Sequence, residues 1–184
     1  MNRIRVTGNG RLGGLIGQAK AGRGLRVEVK HSFAALPVYA PNGASYAGGM
    51  VGLAQTARFN DCYASGTVTG RNANADQLYG GFAGHSSDVE YTNCYSTGAL
   101  TVANSAGRKL DAGSAGFAGR MDSGFADSCY SISCLNEDTA SVFYRITEDQ
   151  PTFKSSFFLG SGTKAPGLTG VGSGQLTHLQ RDQH

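Results

Sequence analysis

Short apolar segments separated by Gly, Asn and Asp run along most of the chain, and their apolar residues do not recur at the spacing of an amphipathic helix. Apolar segments bounded by turn-forming residues predict β-strands joined by turns. No segment approaches the roughly 18–20 consecutive apolar residues that a membrane-spanning helix needs. The pattern therefore predicts an all-β fold without membrane insertion.

A five-residue element of two glycines, two apolar residues and a third glycine occurs four times. Its copies lie at residues 13–17, 48–52, 80–84 and, with alanine in the first place, 115–119. A missed repeat changes every later inference about a fold, so this element is the main signal of the sequence.

A second element follows the glycines at a constant distance. Cys62-Tyr63, Cys94-Tyr95 and Cys129-Tyr130 each begin 13 residues after the second glycine of their copy. In the first copy the equivalent pair is Ser32-Phe33, 18 residues after Gly14, so this copy carries a five-residue insertion.

A repeat of 32–35 residues cannot bury its apolar side alone, whereas coils stacked at about 4.8 Å share one continuous core. The sequence therefore predicts a right-handed β-solenoid of about four coils over residues 1–135. Glycines mark its corners, where a Cβ would clash with the next coil. We expect residues 136–184 to close the repeats, with an irregular part over 136–174 and a short helix or tail over 175–184.

These paired elements resemble the GLUG-motif repeat, a family known from bacterial surface proteins that include adhesins and non-catalytic parts of secreted immunoglobulin A peptidases. The segments 156–159 and 175–179 resemble the closing element of such arrays. The resemblance implies a repeat-built scaffold at the bacterial cell surface or outside the cell, and it implies no ligand and no catalytic residue.

In-register stacking turns each repeat position into a column of equivalent side chains. Alternation along a strand predicts that the bulky column points inward and that its neighbour lies near a second layer or solvent. The bulky column is Leu15, Met50, Phe82 and Phe117, and its neighbour is Ile16, Val51, Ala83 and Ala118. The cysteines are expected to face inward as small apolar side chains.

Phe33, Tyr63, Tyr95 and Tyr130 form an aromatic column whose direction the sequence leaves open. In one interpretation the rings face outward and bind a partner. In the other, a bend at Gly66 and Gly98 resets the alternation, and the tyrosines pack inside with their hydroxyls bonded to turn backbone.

Two polar loops, at residues 71–77 and 103–111, are further candidates for partner contact because connecting loops commonly carry binding. The first contains Asn72, Asn74 and Asp76 at alternate positions, as at the start of an EF-hand loop. Gln77 and Ala83 stand where such a loop needs Gly and Glu, so we expect an exposed loop tip and no metal.

Composition and charge limit the classes of protein and of binding partner that this sequence fits. With 28 glycines, 40% apolar and 16% charged residues, the chain is neither collagen-like nor a disordered polyelectrolyte. Residues 1–30 hold seven cations and one acid, a net charge of +6, whereas residues 31–184 hold nine cations and twelve acids, a net charge of −3. The chain lacks a basic helix and an RNA-binding signature, so we expect no nucleic-acid partner.

The four cysteines favour buried thiols over disulfides, because three of them share one column and cannot all pair. A bridge between Cys129 and Cys134, or one across coils, is the alternative. No two cysteines are spaced as C-x-x-C, which argues against a cysteine-bound metal.

Enzymatic signatures are weak. Gly8, Gly10 and Gly13 match the dinucleotide-binding pattern, but the glycines that follow disfavour the helix that such a site needs. We therefore expect no cofactor and no catalysis. The expected function is adhesion through repeat loops that contact a glycan or a host or cell-surface protein. The alternatives are a structural spacer or a unit that self-associates end to end, and a β-helical enzyme acting on polysaccharides.

Overall fold

The computed structural model describes residues 4–71, 73–74, 76–108, 113–135, 143, 151–159 and 168–171. Within these ranges the regular elements are all β-strands, and no helix there could cross a membrane. In chain order the strands are β1 (Val6–Thr7), β2 (Arg11–Gly13), β3 (Ile16–Lys20), β4 (Val27–Lys30), β5 (Phe33–Ala34), β6 (Val38–Ala40), β7 (Tyr46–Gly48), β8 (Val51–Asn60), β9 (Tyr63–Ala64), β10 (Val68–Gly70), β11 (Leu78–Gly80), β12 (Ala83–Thr92), β13 (Tyr95–Ser96), β14 (Leu100–Val102), β15 (Ser114–Ala115), β16 (Ala118–Asp127), β17 (Tyr130–Ser131), β18 (Thr152–Lys154), β19 (Ser156–Leu159) and β20 (Leu168–Val171).

The strands form four parallel sheets that each coil visits in the same order. Sheet A contains β1, β6, β10 and β14, and sheet B contains β2, β7, β11 and β15. Sheet C contains β3, β4, β8, β12, β16 and β18, and sheet D contains β5, β9, β13, β17, β19 and β20. The register follows the repeat, as when Val68 pairs with Val38 on one side and Leu100 on the other. The predicted all-β solenoid of about four coils is confirmed, and its handedness stays a prediction.

The five-residue insertion of the first copy lies in sheet C. Strands β3 and β4 pair with the two halves of the single strand β8, at Ile16 to Val51 and at Val27 to Ala57. Residues 21–26 therefore stand opposite the single residue Thr56. The insertion leaves the register of the coil intact because it is accommodated between two strands.

Two columns of residues have left-handed backbone, with φ between 46° and 57°. One column bends the long strands of sheet C, and the other turns the chain from sheet C into sheet D. The first contains Thr56, Asp88 and Ser123, and the second contains His31, Asp61, Asn93, Ser128 and Ser155. Asn and Asp adopt this conformation more readily than other non-glycine residues, which accounts for Asp61 and Asn93 before the Cys-Tyr element.

Buried side chains form two clusters. The larger cluster is built mainly from sheets C and D, and the smaller one from sheets A and B. The Gly-Gly corner between sheets B and C abuts sheet D, because a Cβ on Gly49 would overlap the Gly81 carbonyl oxygen and lie 3.0 Å from the Ala64 Cβ. Glycine is therefore required here by close approach of backbones, and the corner separates the two clusters.

The bulky column points inward in three coils, as expected, but Leu15 of the first coil is 51% exposed. The neighbouring column was expected near a second layer or solvent, and this prediction is wrong for Val51, Ala83 and Ala118, which are fully buried. The reason is the corner itself. The N–H groups of Met50 and Val51 both donate to the Phe82 carbonyl, so the chain bends there and strand alternation is reset.

The described part of the closing region continues the stack as strands, where we expected irregular structure. Phe117 and Ala118 donate their N–H groups to the Phe143 carbonyl, as equivalent residues do between earlier coils. Strand β18 then pairs with β16, and β19 pairs with β17. The predicted helix or tail over 175–184 lies outside the described residues.

Candidate functional site

An aromatic ladder, formed by Phe33, Tyr63, Tyr95 and Tyr130, runs along the outer side of sheet D. Successive ring centroids are 5.3, 5.0 and 4.7 Å apart, and successive ring planes differ by 11°, 3° and 2°. Phe33 is 60% exposed and the three tyrosines are half-buried. Phe157 follows Tyr130 in register on the next strand.

The outward direction of the ladder follows from its neighbours in each strand. Cys62 and Ala64, on either side of Tyr63, are fully buried, and alternation places the tyrosine between them on the opposite face. The same holds for Cys94 and Ser96 around Tyr95. The interpretation in which the tyrosines pack inside is therefore wrong, because the bend at the glycines comes after this strand.

The ladder presents ring edges and hydroxyl groups, with most ring faces covered. Nearly parallel rings at these distances cannot be coplanar without overlapping, so each ring stacks on the next in an offset arrangement. The outer face of Phe33 is the free end of the stack. Burial and the neighbouring tyrosine raise the pKa values of Tyr95 and Tyr130, so these hydroxyls stay protonated donors at neutral pH.

A polar column borders the ladder at the corner between sheets C and D. Its members His31, Asp61, Asn93 and Ser128 are all exposed. The Asn93 side-chain amide donates to Asp61 at 3.0 Å, and the His31 Nδ1 lies 3.4 Å from the other Asp61 oxygen. The combined surface offers aromatic edges, hydroxyls, an amide and a carboxylate at the repeat distance of the coils.

The cysteine column faces inward, as predicted. Cys62, Cys94 and Cys129 are fully buried, and all four cysteines are free thiols, so the disulfide alternatives are wrong. The hydrogen bond with Cys94 and burial raise the pKa of Cys62, and burial raises the pKa of Cys94. These two groups remain thiols at neutral pH and supply no nucleophile.

Asn74 and Asp76 lie at the corner between sheets A and B, away from the ladder on sheet D. The Asn74 side chain accepts the Asp76 N–H at 3.1 Å, which closes a local turn. Asn72 lies outside the described residues. No cluster of three or more metal-binding side chains occurs in the part of the chain that the structure describes. Loop and ladder are thus separate surfaces.

One polar cluster that the sequence analysis missed lies on the outer side of sheet C. His85 Nε2 is 2.9 Å from Asp122, and Arg120 donates to both oxygens of the same carboxylate at 2.8 and 2.9 Å. The Tyr46 ring packs against His85 at 5.1 Å between centroids. Only the register, which pairs His85 with Arg120 and Ser87 with Asp122, brings these residues together.

The glycine-rich start of the chain forms a turn and a strand instead of a phosphate-binding turn and helix. Gly8 and Gly10 precede β2, and Gly13 ends it. An open pocket of about 370 Å³ lies beside this strand, where Arg11 donates to Gln18 at 2.6 Å. Strand β3 follows these glycines, where a dinucleotide-binding turn leads into a helix.

A family model, described as the GLUG motif, matches residues 43–69. No curated protein and no solved structure matches the chain. The matched segment holds β7, β8 and β9 and most of β10, which together make one complete turn through the four sheets. The coils before and after it pair with it residue by residue. This match confirms the resemblance to the GLUG-motif repeat for the coil at residues 43–69.

Proposed function

We propose that this protein is a non-catalytic adhesion module of a bacterial cell-surface or secreted protein, and that it binds an extended partner along the aromatic ladder. The carrying observation is the ladder itself, in which four aromatic side chains stack at 4.7–5.3 Å on the outer side of sheet D. Their partial exposure is regular over at least four coils, so a partner with its own repeat meets the same contact several times.

A glycan suits this surface better than an apolar partner. The hydroxyls of Tyr63, Tyr95 and Tyr130 form a row of donors and acceptors, and Asp61 and Asn93 add an acceptor and an amide beside them. Stacking of sugars on ring faces is confined to the Phe33 end, because the other faces are covered by neighbouring rings. Binding along the row of tyrosines therefore depends on hydrogen bonds to the hydroxyls and on contacts with the ring edges.

The direct test is binding of the labelled protein to arrays of glycans and of host matrix proteins. A Tyr63→Phe/Tyr95→Phe double variant keeps the ring stack and removes two hydroxyls. We expect it to bind the selected ligand about tenfold or more weakly, since each hydrogen bond contributes about 1 kcal/mol.

Tyr39→Phe is the matched control, because Tyr39 is a half-buried outer tyrosine of sheet A whose ring packs under the Arg5 guanidinium. It should bind like the parent protein, and both variants should keep the parent circular dichroism spectrum. Two results would refute the proposal. In the first, neither array yields a ligand. In the second, neither the Tyr63→Phe/Tyr95→Phe variant nor a Tyr63→Ala/Tyr95→Ala variant weakens binding.

A further inference from the structure

Three tyrosines of the aromatic ladder are in direct contact with one another. Tyr63 stacks on Tyr95 with ring centroids 5.0 Å apart, and Tyr95 stacks on Tyr130 at 4.7 Å. The ring planes of the two pairs differ by only 3° and 2°. Because the three residues pair in register on parallel strands, equivalent ring atoms of neighbours are separated by about the centroid distance.

The other tyrosines that the structure describes are placed differently. Tyr79 and Tyr91 are fully buried, and neither Tyr39 nor Tyr46 has a tyrosine beside it in register. The three ladder tyrosines, by contrast, are half-buried on the outer side of sheet D. Among the described residues, the ladder is therefore where an oxidant in solution reaches tyrosines that contact each other.

Phenylalanine bounds the three tyrosines on both sides. Phe33 pairs in register with Tyr63, and Phe157 pairs with Tyr130. A phenylalanine ring has no hydroxyl from which a hydrogen atom can be removed, so it forms no phenoxyl radical. Oxidative coupling in this column is therefore confined to two neighbouring pairs of tyrosines, and Tyr95 belongs to both pairs.

Coupling of two tyrosines is a two-electron oxidation, and hydrogen peroxide acting through a haem peroxidase is an oxidant of the required class. Each phenol gives its hydroxyl hydrogen atom, as one electron and one proton, to the peroxidase. The two phenoxyl radicals combine through the carbons next to their oxygens. The hydrogen on each of these carbons then moves as a proton to the oxygen, which restores both aromatic rings. The peroxide takes up the two electrons and two protons and leaves as two water molecules.

The ladder favours this coupling within one molecule. The reacting carbons flank the hydroxyls at the outer ring edges, which the ladder presents to solvent. A tilt of two neighbouring side chains brings these carbons together. Because the neighbours are held side by side, the combination of their radicals is unimolecular and outpaces the encounter of two molecules.

We propose that the ladder is a site of oxidative modification, at which a haem peroxidase and hydrogen peroxide join Tyr95 to Tyr63 or to Tyr130 as dityrosine. The new carbon–carbon bond links two successive coils along sheet D, and it constrains the unfolded chain as a disulfide does. This modification goes beyond the proposed ladder function and does not rest on it, since the coupling needs no bound glycan.

The test treats the full chain, at micromolar concentration, with a haem peroxidase and hydrogen peroxide. N-acetyltyrosinamide in a parallel sample shows that the oxidant is active. We expect the fluorescence of dityrosine in the monomer fraction and an intact mass lower by two hydrogen atoms. Trypsin releases the three ladder tyrosines on separate peptides, so mass spectrometry should find the Tyr95 peptide joined to one of the other two.

Phenylalanine variants, which keep the ring stack, identify the partners. Tyr63→Phe should leave only the link between Tyr95 and Tyr130, and Tyr130→Phe only the link between Tyr63 and Tyr95. Tyr95→Phe should lower the dityrosine yield of the monomer by about tenfold or more, because neither remaining tyrosine has a partner held beside it. Tyr39→Phe is the matched control and should keep the parent yield. All variants should keep the parent circular dichroism spectrum.

Three results would overturn the modification site. The first is no dityrosine in the protein while N-acetyltyrosinamide couples, and the second is links between different molecules only. The third is a parent yield from Tyr95→Phe. The oxidation samples contain no glycan and the binding arrays contain no oxidant, so failure of one proposal is distinguishable from failure of the other.

Discussion

At the scale of single residues, the glycine columns are the positions at which the fold is most sensitive to an added side chain. A Cβ on Gly49 would overlap the backbone of the next coil, whereas a Cβ on Gly22 meets nothing within 4 Å. We expect Gly49→Ala to lower the free energy of unfolding by about 3 kcal/mol, because the backbones around it cannot separate without breaking the stack.

Urea unfolding followed by circular dichroism measures this difference. Gly22→Ala, in the exposed insertion, is the matched control and should change the free energy of unfolding by less than about 0.5 kcal/mol. Equal stability of the two variants would contradict the assigned role of the Gly-Gly corner.

The buried thiols make stability depend on pH. The pKa values of Cys62 and Cys94 are raised in the folded protein, so these groups stay protonated where the unfolded chain ionises, above about pH 8.5. The folded state then binds more protons than the unfolded state. The stabilisation is complete below that pH, and the free energy of unfolding should fall as the pH rises from about 8 to 9.5.

A Cys62→Ala/Cys94→Ala variant tests the origin of this slope, since it should flatten the fall of stability over the same pH range. Cys134→Ala is the control because Cys134 is half-buried and outside the column. A double variant with the parent slope would show that other groups cause the pH dependence.

At the scale of elements, the long strands of sheet C hold the register of each coil. Residues 21–26 connect β3 and β4 opposite a single left-handed residue, Thr56. Replacing the whole segment by one Asn, which adopts left-handed backbone readily, should fuse β3 and β4. We expect the free energy of unfolding to change by less than about 1 kcal/mol, because the exposed ion pair of Arg26 with Asp88 contributes little.

Deletion of Thr56 alone is the opposing test. It shifts the register between the two halves of β8, and a one-residue slip turns buried side chains such as Ala57 and Phe59 to the other face. We expect a loss of more than about 3 kcal/mol by urea unfolding. Tolerance of this deletion would contradict the pairing of β8 with both neighbours.

At the scale of the whole molecule, Phe143 joins the last coil to the residues that follow it. Its ring stacks on Phe117 at 4.5 Å and meets Phe153 edge-on at 5.8 Å, and the side chain is 1% exposed. Phe143→Ala should therefore cost about 3–5 kcal/mol of unfolding free energy.

Urea unfolding measures this cost, and binding of a hydrophobic dye reports whether Phe117 becomes exposed. Phe125→Ala is the control, because Phe125 is half-buried on the outer side of sheet C. It should cost less than about 1 kcal/mol. A small effect of Phe143→Ala would mean that the closing region does not support the core.

Much of the architecture is readable from the sequence. The spacing of the Gly-Gly and Cys-Tyr elements predicts the coil length, the five-residue insertion and the inward cysteines, because in-register stacking makes each repeat position a column. Parity fails at corners, where the two N–H groups of Met50 and Val51 share one carbonyl, and at the left-handed bend at Thr56 within β8. The closing strands were missed because Phe143, Ser156 and Phe157 replace the repeat residues while keeping their backbone positions.

The sequence by itself determined the repeat, the all-β class, the resemblance to the GLUG motif and the charge asymmetry, since these depend on residue type and spacing alone. Only the tertiary structure decided that the tyrosines face outward and that His85 meets Asp122. These features depend on where a corner resets alternation and on which residues of neighbouring coils share a register position. Both depend on residues that are separated by one coil in the sequence but are adjacent in the folded structure.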